Sequence, residues 1–213
     1  ATILISSLIA LKKDNLKARL AFSTIGQLSY IVLGIAILSP LSTAGALYHL
    51  VAHAFMKITL FMCAGAIFVT THKKDISEMV GLGRRMPVTM SAFTIASLGI
   101  AGFPFFVGFV SKANIIMGAL KTGQLLFGAT LIVSAVLALT YLMPVVLITF
   151  KREPVNPEFN TYGEASKTML VPLLITATVS VILGVAPNFG LHLLDLAMST
   201  GEAVFAHVGG VIC

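Results

Sequence analysis

The chain has 213 residues, of which 57% are hydrophobic and only 10% charged, with a formal net charge of +6. A soluble domain of this size carries about 25% charged residues to wet its surface. That composition, with a mean hydropathy of +0.99, excludes a water-soluble globule and places the chain in a membrane.

At about 20 apolar residues per crossing, the predicted elements are one partial helix, five further crossings and a tail. Residues 1–11 read as the truncated end of a spanning helix. Their apolar run is followed, not preceded, by Lys12 and Lys13, the reverse of a signal peptide, and the whole reads as the C-terminal piece of something longer. Crossings follow at about 20–38, stopping at Ser39-Pro40, and at about 43–71. The apolar segment at about 87–120 is too long for one straight span and contains Gly99, Gly102, Pro104 and Gly108. Proline removes a backbone donor and clashes with the preceding turn, so this helix is expected to break near 102–104. A simple proline kink is the plainer alternative to a break that opens a hydrated cavity. Further crossings are expected at about 123–150 and 167–185. The tail, 189–213, mixes Asp195, Glu202 and His207 with Leu191, Leu194 and Met198, as an amphipathic helix at the interface does.

The basic residues partition by side. Lys12, Lys13, Lys17, Arg19, Lys73, Lys74, Arg84, Arg85, Lys151, Arg152 and Lys167 flank loops of one side, and only Lys121 flanks the other. The positive-inside rule makes the first side cytoplasmic. Two lysines remain, Lys57 and Lys112, both inside apolar segments.

A charged lysine at the bilayer centre costs about 2.5–3.5 kcal/mol to insert. Snorkelling to the headgroups is a poor account of Lys57, far from either end of its helix, and a better one for Lys112, which lies closer to an end. His49, His53 and Lys57 fall at i, i+4 and i+8 and share one helix face. An i, i+4 histidine pair can bind a metal, but Leu50, Val51 and Ala52 supply no carboxylate between them. A proton wire fits better, since histidine passes protons between its two nitrogens near neutral pH and a desolvated lysine can cycle between charged and neutral forms. None of the eight acidic residues lies in an expected span, so either the two lysines are often neutral or their counter-charges belong to missing helices or neighbouring subunits; both suit a relay whose protonation changes. Ser111 and Asn114, beside Lys112 and beyond the break, are candidates to line a cavity there.

The remaining chemistry is sparse. Cys63 and Cys213 form neither a disulfide framework nor a metal pattern, Gly81 and Gly83 open no dinucleotide fingerprint, and no cofactor-ligating set or catalytic motif is present. Three stretches carry a resemblance: 15–30 (NLKARLAFSTIGQLSY), 49–57 (HLVAHAFMK) and 102–112 (GFPFFVGFVSK). In order and spacing they resemble the antiporter-like membrane subunits shared by Mrp-type sodium/proton antiporters, respiratory complex I and membrane-bound hydrogenases. The stretch from Gly81 to Lys112 looks most like the Mrp D subunit.

The resemblance implies an all-α polytopic membrane helix bundle, with one partial and five transmembrane segments, one of them broken. It corresponds to the second half of an inverted-repeat antiporter-like fold. Residues 1–188 would be the C-terminal portion of the proton-conducting domain. It implies that Lys57 is the central channel lysine, His49 and His53 the adjacent relay, Lys112 the outlet lysine, and Gly102, Pro104 and Gly108 the broken helix. Lys17 matches a basic position near an input path. The first repeat is missing, and Ala113 stands where some members have an acid.

The expected function is a proton-translocating subunit in a prokaryotic inner membrane, conducting protons through the His/Lys relay and coupled to Na+ exchange. Its expected partners are other membrane subunits of a hetero-oligomeric complex, the bilayer, and H+ and Na+ as transported ions. It would have no catalytic site, cofactor or metal of its own. The alternatives are a proton-pumping subunit of a complex I-type or hydrogenase-type redox complex, and a helical scaffold whose polar residues merely join helices.

Overall fold

A computed structural model describes residues 1–151, 154 and 157–209. Arg152, Glu153, Cys213 and the side chain of His207 lie outside the described residues. The elements are α1 (Thr2–Lys12), α2 (Leu16–Ala36), α3 (Pro40–Thr71), a 3-10 turn (Ile76–Met79), α4 (Leu82–Arg85), α5 (Pro87–Ala101), α6 (Val107–Lys121), α7 (Leu125–Lys151), a second 3-10 turn (Pro157–Asn160), α8 (Lys167–Val185) and α9 (Leu193–Gly209). No strand occurs among the described residues, and α2, α3, α7 and α8 are each long and apolar enough to cross a membrane. The chain is thus an integral, multi-pass membrane helix bundle.

Local chemistry sets the boundaries. Asn15 caps α2, its Oδ1 accepting from the Ala18 N–H at 3.1 Å. Pro40 and Pro87 stand at the first turns of α3 and α5, where a missing N–H removes no helical bond. Gly102, at φ 85, ends α5, and Phe105, at φ 71, completes the break before α6 begins at Val107. The break is therefore a five-residue interruption at 102–106, with Pro104 inside it. Both halves have 15 residues and together make one crossing.

α3 is the central helix and packs against α2, α5, α6, α8 and α9. Close approach rests on small residues. A Cβ on Gly45 would lie 2.8 Å from the Ile115 nitrogen, and one on Gly118 2.6 Å from the backbone nitrogen of Ser42. Ser42 Oγ donates to the Gly34 carbonyl at 2.6 Å, tying α2 to α3 at the same level. Of the tail, Gly201 abuts Pro40 and Ala44, and Leu193, Leu196 and Ala197 face Leu47, Tyr48 and Val51.

The basic loops gather at one end. The Leu16 N–H donates to the Lys74 carbonyl, Ile76 to Asp14, Gly81 to Ile148, and Gly163 to Arg85. Lys121 is at the other end, where Gln124 Nε2 donates to the Ile37 carbonyl at 3.1 Å. Glu164 reaches back to the first turn of α5, its carboxylate accepting from Val88 N at 2.6 Å, Thr89 N at 3.2 Å and Thr89 Oγ1 at 2.7 Å. An anion at a helix N-terminus meets unpaired N–H groups and the positive end of the helix dipole.

Candidate functional site

Three helices bring the polar interior together at the level of the break. From α3 come His49, His53 and Lys57; from α2, Ser23, Gln27 and Tyr30; from α6, Ser111 and Lys112. All are buried, with His49 0%, Lys57 5% and Lys112 4% exposed.

The row can be followed residue by residue. The Lys57 ammonium donates to the Leu20 carbonyl at 3.0 Å and to Ser23 Oγ, so this lysine leans toward the basic end. One turn away, His53 stacks on His49 with ring centroids 6.1 Å apart. His49 stacks on Tyr30 at 5.6 Å, and the Lys112 ammonium lies 4.9 Å from the centre of the same Tyr30 ring. Lys112 Nζ also donates to the Ile100 carbonyl at 2.5 Å, an acceptor of the last turn of α5 beside the break. The aliphatic stem of Lys112 packs on Gly102.

His49 Nδ1 lies 2.8 Å from Ser111 Oγ. The Ser111 hydroxyl donates to the Gly108 carbonyl at 3.1 Å, which assigns the Nδ1 proton to His49 and leaves its Nε2 an acceptor. His49 Nε2 and His53 Nε2 are both buried without a hydrogen-bond partner, as is Gln27 Oε1. A buried polar atom in that state costs about 1–3 kcal/mol. Unpaired ring nitrogens between two lysines are therefore suited to receive protons or ordered water. No carboxylate lies in a spanning helix, and the described residues place no acid against either lysine.

The remaining predicted residues fall as follows. Gly108 lies where a Cβ would run into the Gly99 carbonyl oxygen, so glycine there lets α5 and α6 close on each other around the break. A cavity of about 420 Å³ lies between α6 and α7 and is lined by Gly102, Phe109 and Lys112 among others. Ser111 and Asn114 turn to α3 instead: Ser111 bonds His49, while Asn114 packs on Gly45 and donates to Val110 at 2.9 Å. Lys17 is not brought to the row. It is exposed at the basic end, 4.8 Å from the centre of the Phe68 ring, beside a small cavity of about 80 Å³ that Lys73 and Lys74 also line.

Sequence reasoning passed over Ser23, Gln27 and Tyr30. Their spacing of i, i+4 and i+7 on α2 is the signal that marks them as one face. It escapes a search for charge because none of the three carries one. Tyr141 of α7 joins them, its hydroxyl facing Ser23 and Gln27.

Residues 1–140 match the family described as "NADH:quinone oxidoreductase/Mrp antiporter, TM". Among curated relatives, the chain is 35% identical over 195 residues to NADH-quinone oxidoreductase subunit N of Desulforudis audaxviator, covering 86% of this chain and 39% of the relative. It is 39% identical over 188 residues to NADH-quinone oxidoreductase subunit L of Mycobacterium tuberculosis, covering 86% of this chain and 29% of the relative. The chain thus spans well under half the length of these relatives. Among solved structures, a chain of the Mrp complex from Dietzia sp. DQ12-45-1b superposes with a TM-score of 0.87 at 24% identity, over 100% of this chain and 47% of that one.

Proposed function

We propose, from the premise that this chain belongs to the NADH:quinone oxidoreductase/Mrp antiporter transmembrane family, that it forms part of a proton-translocating subunit of a multi-subunit membrane complex. In this reading residues 1–188 hold the proton-conducting portion. Residues 189–213 are a tail whose amphipathic helix packs along the first turns of α3 and turns Asp195 and Glu202 outward.

The relay runs from the basic end inward. Lys57 takes up a proton and passes it through His53 and His49 to Lys112, which releases it beyond the break. Ser111 holds His49 in one tautomer, Gly102 and Pro104 interrupt the helix beside Lys112, and Gly108 lets α5 and α6 close around that break. The observation that carries this reading is the pair of buried, unpartnered Nε2 atoms of His49 and His53, set between two lysines against which the described residues place no acid. A scaffold would satisfy or discard such groups. Moving one charge against 100 mV requires about 2.3 kcal/mol, so the complex must supply a drive.

Exchange against Na+ is the drive the sequence motifs favour. A redox drive is the second reading, favoured by one observation: the relatives at 35% and 39% identity are subunits of NADH-quinone oxidoreductases. Co-purifying subunits separate the two, since iron–sulfur partners mean redox and Na+-dependent ΔpH formation means exchange. The relay itself is tested by His49→Phe in the full complex, which keeps a ring on Tyr30 but cannot carry a proton. ΔpH formation in proteoliposomes should fall to background, and undiminished pumping overturns the reading.

A further inference from the structure

Tyr30 closes the stretch of α2 that carries the resemblance, yet the relay as drawn gives it no task. Its position is unusual. It is fully buried, its hydroxyl donates to the Leu131 carbonyl of α7 at 3.2 Å, and its ring meets both His49, stacked at 5.6 Å and 21°, and the Lys112 ammonium at 4.9 Å. One aromatic face system therefore serves two groups that can each carry a positive charge.

A tyrosine ring attracts a cation through its quadrupole, and the attraction grows when water is excluded. It does not attract a neutral amine in that way. A charged Lys112 is held on the ring and at the Ile100 carbonyl; a neutral one is free to leave. An imidazolium at His49 would compete for the same ring and repel a charged Lys112, so the two charges tend to alternate on it. We propose that Tyr30 is a positioning residue, a shared cation platform that couples the charge on Lys112 to the charge and orientation of His49. This rests on the relay reading above. The other titratable groups facing this cluster are His53 and Lys57 on α3, next along the row, and Tyr141 on α7, beside Ser134 of the same helix; α5 brings the Ile100 carbonyl and α6 the hydroxyl of Ser111.

The test uses the full-length subunit in its complex, with initial rates of ΔpH formation in proteoliposomes across a pH series. Tyr30→Leu should slow transport about thirtyfold, the scale of one desolvated cation–π contact, and displace the pH profile. Tyr30→Phe should recover most of the rate, because it keeps the ring and loses only the bond to Leu131. To remove folding from the comparison, phenylalanine analogues of increasing ring fluorination at position 30 keep the shape while weakening the π face. A stepwise fall in rate is expected. A flat fluorination series, or Tyr30→Phe as slow as Tyr30→Leu, overturns the proposal and assigns the residue to packing α2 on α7. Lys112→Ala run in parallel distinguishes the two failures: if it pumps normally the relay reading fails, and if it is dead while the fluorinated series is flat, only the platform fails.

Discussion

Replacing Lys57 by methionine separates transport from stability. A lysine at the centre of a membrane helix costs about 2.5–3.5 kcal/mol to insert. Lys57 recovers part of that through its bonds to the Leu20 carbonyl and Ser23 Oγ. Polar bonds between membrane helices average about 0.6 kcal/mol, so two of them return about 1 kcal/mol. Methionine is of similar length, flexible and apolar. The substitution leaves no orphan behind: Ser23 Oγ still donates to the Leu20 carbonyl at 3.0 Å, and Thr24 Oγ1 bonds the same carbonyl at 2.9 Å. The balance is roughly 1–2 kcal/mol in favour of methionine. The full-length protein in detergent should therefore melt about 2–6 °C higher, while ΔpH formation in proteoliposomes falls to background. A lysine acting as inter-helix glue gives the opposite pattern. A lower melting temperature with pumping intact refutes the reasoning.

Other substitutions probe the frame around the row. Glu164→Ala strips the first turn of α5 of three hydrogen bonds and should destabilise by about 2 kcal/mol, read as a lower melting temperature of the full-length protein. Gly108→Ala sets a methyl against the Gly99 carbonyl and must push α5 from α6. A loss of about 1–3 kcal/mol, together with slowed ΔpH formation, is expected. Ser111→Ala leaves the His49 Nδ1–H buried and unpaired, at about 1–3 kcal/mol, and should slow proton transport without preventing assembly, checked by native electrophoresis beside the rate.

Much of this was legible in the chain before any coordinates. The i, i+4, i+8 spacing of His49, His53 and Lys57 is a local property of one helix, and the break follows from a proline between glycines. The side-by-side placement of the basic loops follows from counting crossings. What escaped depends on contacts far apart in sequence. Glu164 reads as an ordinary loop acid, and nothing near it announces that it folds back on Val88 and Thr89, 76 and 75 residues upstream. Tyr30 reads as one more apolar ring in a membrane helix until α3 and α6 deliver a histidine and a lysine to it. Ser111 and Asn114, expected at a cavity, turn to α3, where Ser111 meets His49 and Asn114 packs on Gly45.

α3 has 32 residues, which at 1.5 Å per residue makes a rod of about 48 Å against a hydrocarbon slab of about 30 Å. Such an overhang is taken up by tilt, and the tilt changes with bilayer thickness. Points near the middle of a tilting rod move least, and Lys57 is the eighteenth of the 32 residues. A thicker or thinner lipid bilayer would swing Pro40 and Thr71 through the headgroups while holding the lysine near the pivot. Pumping should therefore tolerate changes in lipid chain length better than the contacts at the two ends of the helix do.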